Sequence, residues 1–200
     1  MRVKDYLKAG RIFYPHWDEA YAQRLVKLFG LDVKKRMNAL SKGMASAVTI
    51  ILALASRAPV TMMDEPTAGL DVVAREDFYR LLLEDQTATG RTFVISTHIL
   101  EEAAPVFERV MIMKKGRLIE DCDADALLAQ FCGVSGRDDV VAAACEGYEV
   151  LHTETLGRQV LCTVRAPADA ITARGLDVDC TALSLQKVFV ALCGHEQEGQ

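Results

Sequence analysis

Two adjacent acidic residues, Asp64 and Glu65, follow the apolar segment Val60–Met63 and precede Pro66. We predict that this segment is a strand buried on both faces. It would then deliver both carboxylates at its C-terminal end, where open α/β sheets bind ligands. Adjacent carboxylates at such an edge are costly unless a metal ion or a reaction uses them. Pro66 restricts the preceding residue, so we expect an extended Glu65 with an aimed carboxylate. For an isolated Asp-Glu pair, an exposed acidic turn is the alternative.

Three further residues stand where a side chain or a helix start could take part in chemistry. His98 follows Thr92–Thr97, whose β-branched residues predict the next strand. Ser41 and Gly43 begin a segment that is apolar almost all round and is predicted to be a buried helix. The amide groups and the dipole at the start of a helix favour an anion. The alternatives are a histidine satisfied by backbone groups in the core and a serine that only caps the helix.

The residues around these positions predict helices that alternate with strands, which implies a parallel α/β sheet through the middle of the chain. The sequence predicts two helices within residues 3–30, interrupted near Pro15, with a cap at Asp18 and a stop at Gly30. Further helices are predicted up to about Arg57, from Asp71 to about Thr87 (closed by Gly90), and over Ile99–Phe107. The last predicted element before residue 132 is a hairpin of Val110–Lys114 and Arg117–Asp121 that turns at Lys115-Gly116.

Residues from about 132 to 194 have a different pattern, which predicts a small α/β segment with a βαββαβ-like order. Its predicted elements are a strand at Val134-Ser135, a helix over Asp138–Cys145, a hairpin of Tyr148–Thr155 and Gln159–Arg165, a helix over Ala168–Arg174, a strand over Leu176–Thr181, and an amphipathic helix that presents Leu185, Val188, Phe189 and Leu192. A packing extension without a core of its own is the alternative. No catalytic residue is expected in this segment.

The composition, with 50% hydrophobic and 26% charged residues, is that of a globular protein. The formal net charge of −5 argues against a nucleic-acid partner, because phosphate binding favours a basic face. The six cysteines include no C-x-x-C pair, so we expect small buried side chains in a reducing compartment and no metal or disulfide framework. Neither a secretory signal nor an apolar stretch long enough to span a bilayer is visible.

Three motifs together resemble those of ATP-binding-cassette (ABC) ATPases. The string from Val60 to Asp71 resembles the Walker B motif with the D-loop of that family. The segment Leu40–Met44 is similar to the signature motif and ends 20 residues before Asp64, while Thr97-His98 resembles the switch histidine. The resemblance runs from Val3 to about Gln130 and is closest to bacterial export-type cassettes, whose signature often reads Lys-Gly-Met.

The resemblance implies a role for each candidate residue. Asp64 would help to hold the Mg²⁺ that bridges the β- and γ-phosphates of ATP. Glu65 would be the general base, and His98 would contact the γ-phosphate and help to position the attacking water. Ser41 and Gly43 would face nucleotide bound by a second ABC ATPase subunit, and Asp71 would close the D-loop against that subunit. A membrane permease is the other implied partner, which would place the protein in the cytoplasm at the inner face of the membrane.

The P-loop that cradles nucleotide phosphates in this family, G-x-x-x-x-G-K-[ST], is not found in the sequence. None of the thirteen glycines is followed by Lys, Ser or Thr. We therefore expect an incomplete P-loop NTPase core with its helical subdomain over residues 1–131 and an accessory α/β segment over residues 132–200. Three interpretations stay open: a truncated transporter ATPase that is inactive alone, a cassette that naturally lacks Walker A and serves a complete partner, and a non-transport ABC ATPase.

Overall fold

The computed structural model describes residues 1–194, and the chain forms two compact units, Met1–Ile99 and a second unit that begins at Leu100. Residues 195–200, the end of the predicted accessory segment, lie outside the described residues. The second unit begins before residue 132, because one apolar cluster joins Val110 and Ile112 to Leu185 and Val188 near the C-terminus. The assignment of residues 1–131 to an ATPase domain stays a prediction.

The first unit contains four helices and two strands among its described residues. They are α1 (Val3–Phe13), α2 (Glu19–Leu28), α3 (Lys42–Ala55), β1 (Val60–Asp64), α4 (Val72–Thr89) and β2 (Thr92–Ser96), with a 3-10 turn at Met37–Ala39. The predicted interruption near Pro15 is confirmed, and Asp18 caps α2 by accepting from the amide of Tyr21 at 2.9 Å. Gly30 follows α2 and Gly90 closes α4, each with a positive φ that favours glycine.

The core of the first unit is built around α3. This helix is apolar almost all round, as predicted, and it packs against α1, α2 and α4. On α4 the predicted apolar positions Phe78, Leu81 and Leu82 are all buried. The largest contributions from α3 are Val48, Ile50, Ile51 and Leu54, each 0% exposed. Burial of side chains of this size contributes about 1.5–3 kcal/mol each, so α3 is the main source of stability in this unit.

The two strands pair in parallel and in register, from Val60 opposite Thr92 to Asp64 opposite Ser96. The prediction that β1 is buried on both faces is wrong. Thr61 and Met63 are buried, whereas Val60 and Met62 on the opposite face are 58% and 78% exposed. Side chains alternate across a strand, and the core of this unit lies on one side of β1 only.

A buried ion network joins four elements of the first unit. The side chain of Asp85 on α4 is 1% exposed, and its two oxygens each lie 2.5 Å from a guanidinium nitrogen, one of Arg57 and one of Arg91. Arg57 also pairs with the α2 cap Asp18 at 2.8 Å, and Arg91 donates to the backbone carbonyl of Leu54 at 3.1 Å. The network therefore fixes α2, the end of α3, α4 and the start of β2 relative to one another.

The second unit begins with α5 (Leu100–Ala103), a 3-10 turn at Ala104–Val106, the hairpin β3 (Arg109–Lys114) and β4 (Arg117–Asp123), and α6 (Ala124–Leu128). The predicted hairpin and its turn at Lys115-Gly116 are confirmed. The predicted helix over Ile99–Phe107 is interrupted, since Pro105 lacks an amide hydrogen and cannot continue an α-helix.

The remaining elements confirm the predicted βαββαβ order. They are β5 (Cys132–Arg137), α7 (Asp138–Cys145), β6 (Glu149–Leu156), β7 (Gln159–Arg165), α8 (Ala168–Thr172), β8 (Asp179–Ala182) and the final helix α9 (Leu185–Cys193). The strands form an antiparallel sheet in the order β6-β7-β5-β8. Val134, Val141, Val164 and Ile171 form a core inside this segment, so it is more than a packing extension.

The amphipathic character of α9 is confirmed at three of its four predicted positions. Leu185 and Val188 are buried, and Leu192 packs against the same cluster. The prediction for Phe189 is wrong, because its side chain is among the exposed ones at 36%. Within the described residues, no helix combines the length and the apolar content that crossing a bilayer requires.

The expectation that the cysteines are small buried side chains is confirmed for three of the six, while Cys122, Cys180 and Cys193 are half-buried. All six are free, and Cys132, Cys145 and Cys162 are buried. Burial raises the pKa of the Cys132 thiol to about 11, so it stays protonated at neutral pH. A protonated thiol is a poor nucleophile and a poor metal ligand, which is consistent with a packing role.

The ion network gives a stability prediction. Asp85→Asn removes the charge that two buried or half-buried arginines share, and we expect the free energy of unfolding to fall by about 3 kcal/mol or more. Urea denaturation followed by circular dichroism measures the change. The control is Glu84→Gln, which removes an exposed partner of Arg80 and should cost less than about 1 kcal/mol. Equal effects of the two substitutions would show that the network does not stabilise the fold.

Candidate functional site

The C-terminal ends of β1 and β2 bring the predicted catalytic residues together. Asp64 is the last residue of β1 and lies opposite Ser96, whose hydroxyl donates to Asp64 Oδ1. The amide of Glu65 donates to the carbonyl of Ser96 at 2.9 Å, which extends the ladder by one bond. His98 follows Ser96 by two residues and therefore reaches the same edge. Asp64, Glu65 and His98 thus form one cluster, as the resemblance implies.

Glu65 is not extended, so the prediction made from Pro66 is wrong. Its φ is 45°, in the left-handed region that residues other than glycine rarely adopt. Two backbone hydrogen bonds overrule the preference set by the proline: the amide of Glu65 bonds Ser96, and the carbonyl of Glu65 accepts from Ala68 at 3.1 Å. The chain must therefore turn sharply at Glu65, and this turn decides where the carboxylate points.

The two carboxylate oxygens of Glu65 have different surroundings. Oε1 accepts from the backbone amide of His98 at 3.0 Å and lies 2.6 Å from Nδ1 of the same residue. Oε2 is buried and has no hydrogen-bond partner. An ionised carboxylate only accepts hydrogen bonds, so the contact at Oε1 requires the proton on Nδ1. The side chain of His98 is 76% exposed, and in the neutral form of this tautomer the lone pair is on Nε2.

The turn after Glu65 packs against the start of α3. A Cβ atom placed on Gly43 would lie 2.2 Å from the carbonyl oxygen of Gly69, so no larger residue fits without movement. Gly69 itself has a φ of 80°, and the hydroxyl of Ser46 donates to the carbonyl of Ala68 at 2.7 Å. The predicted signature segment and the D-loop segment are therefore in direct contact within one chain.

Ser41 and Asp71 cap helices in this structure. The hydroxyl of Ser41 accepts from the amide of Met44 at 3.2 Å at the start of α3. A carboxylate oxygen of Asp71 accepts from the amide of Ala74 at 2.9 Å at the start of α4. Both side chains are exposed. Capping does not prevent a contact with phosphate or with a second subunit, because the same helix ends remain accessible.

A magnesium site at this edge would depend on few protein ligands. No group of three or more His, Cys, Asp or Glu side chains in residues 1–194 could hold a metal ion by itself. Mg²⁺ is usually bound by one or two carboxylates together with substrate phosphates and water. Asp64 fits that pattern, since its side chain is exposed at the end of β1 and Glu65 is the next residue.

Two residues of the site were not predicted from the sequence. Ser96 orients Asp64, and Ser46 fixes the turn that ends at Gly69. Serine is common at strand ends and in helices, so residue type alone gives no signal for either role. The parallel register would have pointed to Ser96, because it places that residue directly opposite Asp64.

The contact between Gly43 and Gly69 gives a second prediction. Gly43→Ala should displace the turn and lower the free energy of unfolding by about 1–3 kcal/mol, as overpacking does. Amide chemical shifts of Ala68, Gly69 and Leu70 report the displacement. Gly90→Ala is the control, since no atom lies within 4 Å of its Cβ position and only backbone strain is added. Unchanged shifts in Gly43→Ala would contradict the packing described above.

The chain is similar to several known ATP-binding proteins. Residues 9–104 match a family model described as "AAA domain, putative AbiEii toxin, Type IV TA system". The Nod factor export ATP-binding protein I of Bradyrhizobium diazoefficiens is 31% identical over 192 residues, which cover 90% of this chain and 62% of that protein. The ABC transporter ATP-binding protein YtrB of Bacillus subtilis is 27% identical over 121 residues, which cover 60% of this chain and 41% of that protein.

A solved structure gives the same relationship. The ATP binding subunit of an ABC transporter superposes with a TM-score of 0.56 and 25% identity, over 64% of this chain and 55% of that one. The chain thus spans less than two thirds of the length of the relatives it matches. The residues that resemble the signature, Walker B and switch-histidine motifs, the sequence similarity and the superposition agree in relating this chain to the ABC transporter ATP-binding proteins.

Proposed function

We propose that this chain is the catalytic-glutamate and signature part of an ATP-hydrolysing subunit that drives export through a membrane permease. The observation that supports this best is the state of Glu65. His98 holds one of its oxygens, and the other is buried without a hydrogen-bond partner. A carboxylate held in one orientation at this strand edge can serve as the general base of ATP hydrolysis when a water molecule is brought to it.

The geometry assigns a separate task to each residue. Glu65 accepts the proton of the attacking water, while the bonds from His98 to Oε1 keep the carboxylate in one orientation. His98 Nε2 can donate to a phosphate oxygen only when the imidazole carries both protons, because the Nδ1 proton is already engaged by Glu65. Mg²⁺ held with the help of Asp64 would neutralise charge on the phosphates. Ser96 keeps the carboxylate of Asp64 in place for that role.

The charge of this edge suits a cationic ligand. Asp64 and Glu65 carry two negative charges on adjacent residues, and neither forms an ion pair with Lys or Arg anywhere in the described chain. Like charges on neighbouring carboxylates repel, and a bound cation would relieve that repulsion. An MgATP complex brings that cation to the same edge as the phosphates on which Glu65 would act.

Partners follow from the exposed helix ends and from the relatives. The capped N-termini of α3 and α4 present Ser41, Gly43 and Asp71 as the surface for a second ABC ATPase subunit. The names of the relatives include "export" and "ABC transporter", which supports a membrane permease as the other partner. The protein would then act at the cytoplasmic face of the membrane.

The phosphate cradle must come from elsewhere, since no glycine in the chain is followed by Lys, Ser or Thr. This observation favours a second candidate function, in which the chain serves a complete cassette as a non-catalytic partner. The two candidate functions differ in the role of Glu65, which acts as the general base of ATP hydrolysis in the first and takes no part in the reaction in the second.

We expect the 200-residue chain alone to bind MgATP weakly and not to hydrolyse it. Preorganised amide and lysine donors supply most of the stabilisation in such sites, and this sequence lacks that motif. Calorimetric titration and a phosphate-release assay measure both properties. Turnover by the chain alone that disappears in Glu65→Gln would contradict this expectation.

The proposed role of Glu65 is tested in a chimera that places a G-x-x-x-x-G-K-[ST] segment of an ABC ATPase, with its own strand and helix, ahead of Met1. Glu65→Gln should leave ATP binding intact and lower turnover by about 10²–10⁴-fold, because the amide keeps the shape but cannot take the proton. The control is Glu76→Gln on the exposed side of α4, which should have no effect.

The chimera also distinguishes the two candidate functions. Unchanged turnover in its Glu65→Gln variant would refute the catalytic role. If the chimera is inactive but the 200-residue chain accelerates a complete cassette in a manner that requires Ser41, the non-catalytic partner is the correct function.

A further inference from the structure

The chain leaves the candidate site through a very short helix. His98 is followed by Ile99 and then by α5, which runs from Leu100 to Ala103 and therefore forms a single turn. Pro105 prevents the α-helix from continuing, because it lacks an amide hydrogen. A single turn costs more backbone entropy than its few hydrogen bonds return, so helices of this length are not stable in isolation. The position of α5 is therefore set by the elements against which it packs.

Within the second unit, α5 packs chiefly against the C-terminal helix α9. Ala103 at the end of α5 is 0% exposed, and the next residue, Ala104, packs against the apolar cluster that contains Leu185 and Val188 of α9. Val188 is itself 0% exposed. The packing that a single helical turn needs is thus supplied by residues near the C-terminus of the chain.

The helix α9 is in turn held by the hairpin of β3 and β4. Val110 and Ile112 of β3 belong to the same apolar cluster as α9. Lys114, at the end of β3, donates from Nζ to the carbonyl of Leu192 at 3.0 Å. The last carbonyls of a helix have no partner within the helix, and a cation at that end is favourable. Apolar packing and one charge-assisted hydrogen bond therefore fix α9 within the second unit.

On the other side of Ile99, the chain is tied to Glu65. The backbone amide and Nδ1 of His98 both contact Glu65 Oε1, and the amide of Ile99 donates to the hydroxyl oxygen of Thr97 at 3.1 Å. Only residues 97–99 connect the end of β2 with the start of α5. A connection this short has little slack, because each residue spans at most about 3.6 Å. A displacement of α5 would be taken up by these three residues, of which His98 is the central one.

We propose that α9 is a positioning element for His98. By holding α5, this helix fixes the direction in which the chain leaves the histidine, and so keeps the imidazole on Glu65. No residue of α9 takes part in the reaction itself. This role rests on the proposed function, because the orientation of His98 affects turnover only if Glu65 is the general base.

Amide hydrogen exchange in the 200-residue chain tests the proposal without nucleotide. Val188→Ala weakens the packing of α9, and the control Val134→Ala removes an equally buried side chain from the other apolar cluster of the same unit. We expect the amides of His98 and Ile99 to exchange roughly tenfold faster in Val188→Ala than in Val134→Ala, because only the first substitution loosens α5. Equal exchange in the two variants would show that α9 only stabilises the second unit, and would overturn the proposal.

A second pair of variants tests the same point with little risk to the fold. Lys114→Met removes the donor to the Leu192 carbonyl, whereas Lys114→Arg keeps a donor of the same charge. The nitrogen NMR signals of the His98 ring report whether the proton stays on Nδ1, as the contact with Glu65 requires. We expect the two ring-nitrogen signals to approach each other in Lys114→Met and to keep their separation in Lys114→Arg. Unchanged signals in Lys114→Met would overturn the proposal as well.

Turnover separates a failure of this proposal from a failure of the proposed function. In the chimera with the added phosphate-binding segment, Val188→Ala should lower kcat several-fold and leave the KM for ATP unchanged, because the added segment binds the nucleotide. An inactive parent chimera would refute the proposed function, whereas the exchange and ring-nitrogen measurements would still decide whether α9 positions His98. Equal kcat values for Val188→Ala and Val134→Ala in an active chimera would overturn the role of α9 alone.

Discussion

The parallel pairing of β1 with β2 determines where the catalytic candidates of the first unit lie. The strands run in register from Val60 opposite Thr92 to Asp64 opposite Ser96, so their C-terminal ends coincide. A shift of one residue would separate Asp64 from Ser96 and would turn Met63 out of the core. The burial of Thr61 and Met63 therefore stabilises the register on which the cluster of carboxylates and histidine depends.

The effect of this register extends beyond the strands. Because the amide of Glu65 still bonds Ser96, the chain cannot leave the sheet until after Glu65, and it must turn within a few residues to reach α4. The turn brings Gly69 under the start of α3, where only glycine fits at position 43. The strand pairing, the turn and the first residues of α3 are consequently one mechanical unit, and a change in any of them displaces the other two.

The sequence predicted the elements better than their environments. Local periodicity was sufficient for the helices and for the βαββαβ segment, because side-chain spacing reports which residues share a face. It could not reveal that Val60 and Met62 face solvent, since this depends on what covers the sheet. The left-handed φ of Glu65 arises from hydrogen bonds to Ser96 and Ala68, and the proline rule alone predicted the opposite. Ser46 and Ser96 acquire roles only through residues distant in sequence.

Two separate energetic costs coincide at Glu65. A residue other than glycine in the left-handed region costs roughly 1–2 kcal/mol, and a buried oxygen without a partner costs about 1–3 kcal/mol more. Selection for stability alone would favour glycine at this position, because glycine relieves the backbone strain and buries no carboxylate. The rest of the unit offsets both costs through the core around α3. Backbone strain and unmet hydrogen bonding at the same residue are expected at functional sites, and this argues for a chemical role of Glu65 independently of any resemblance.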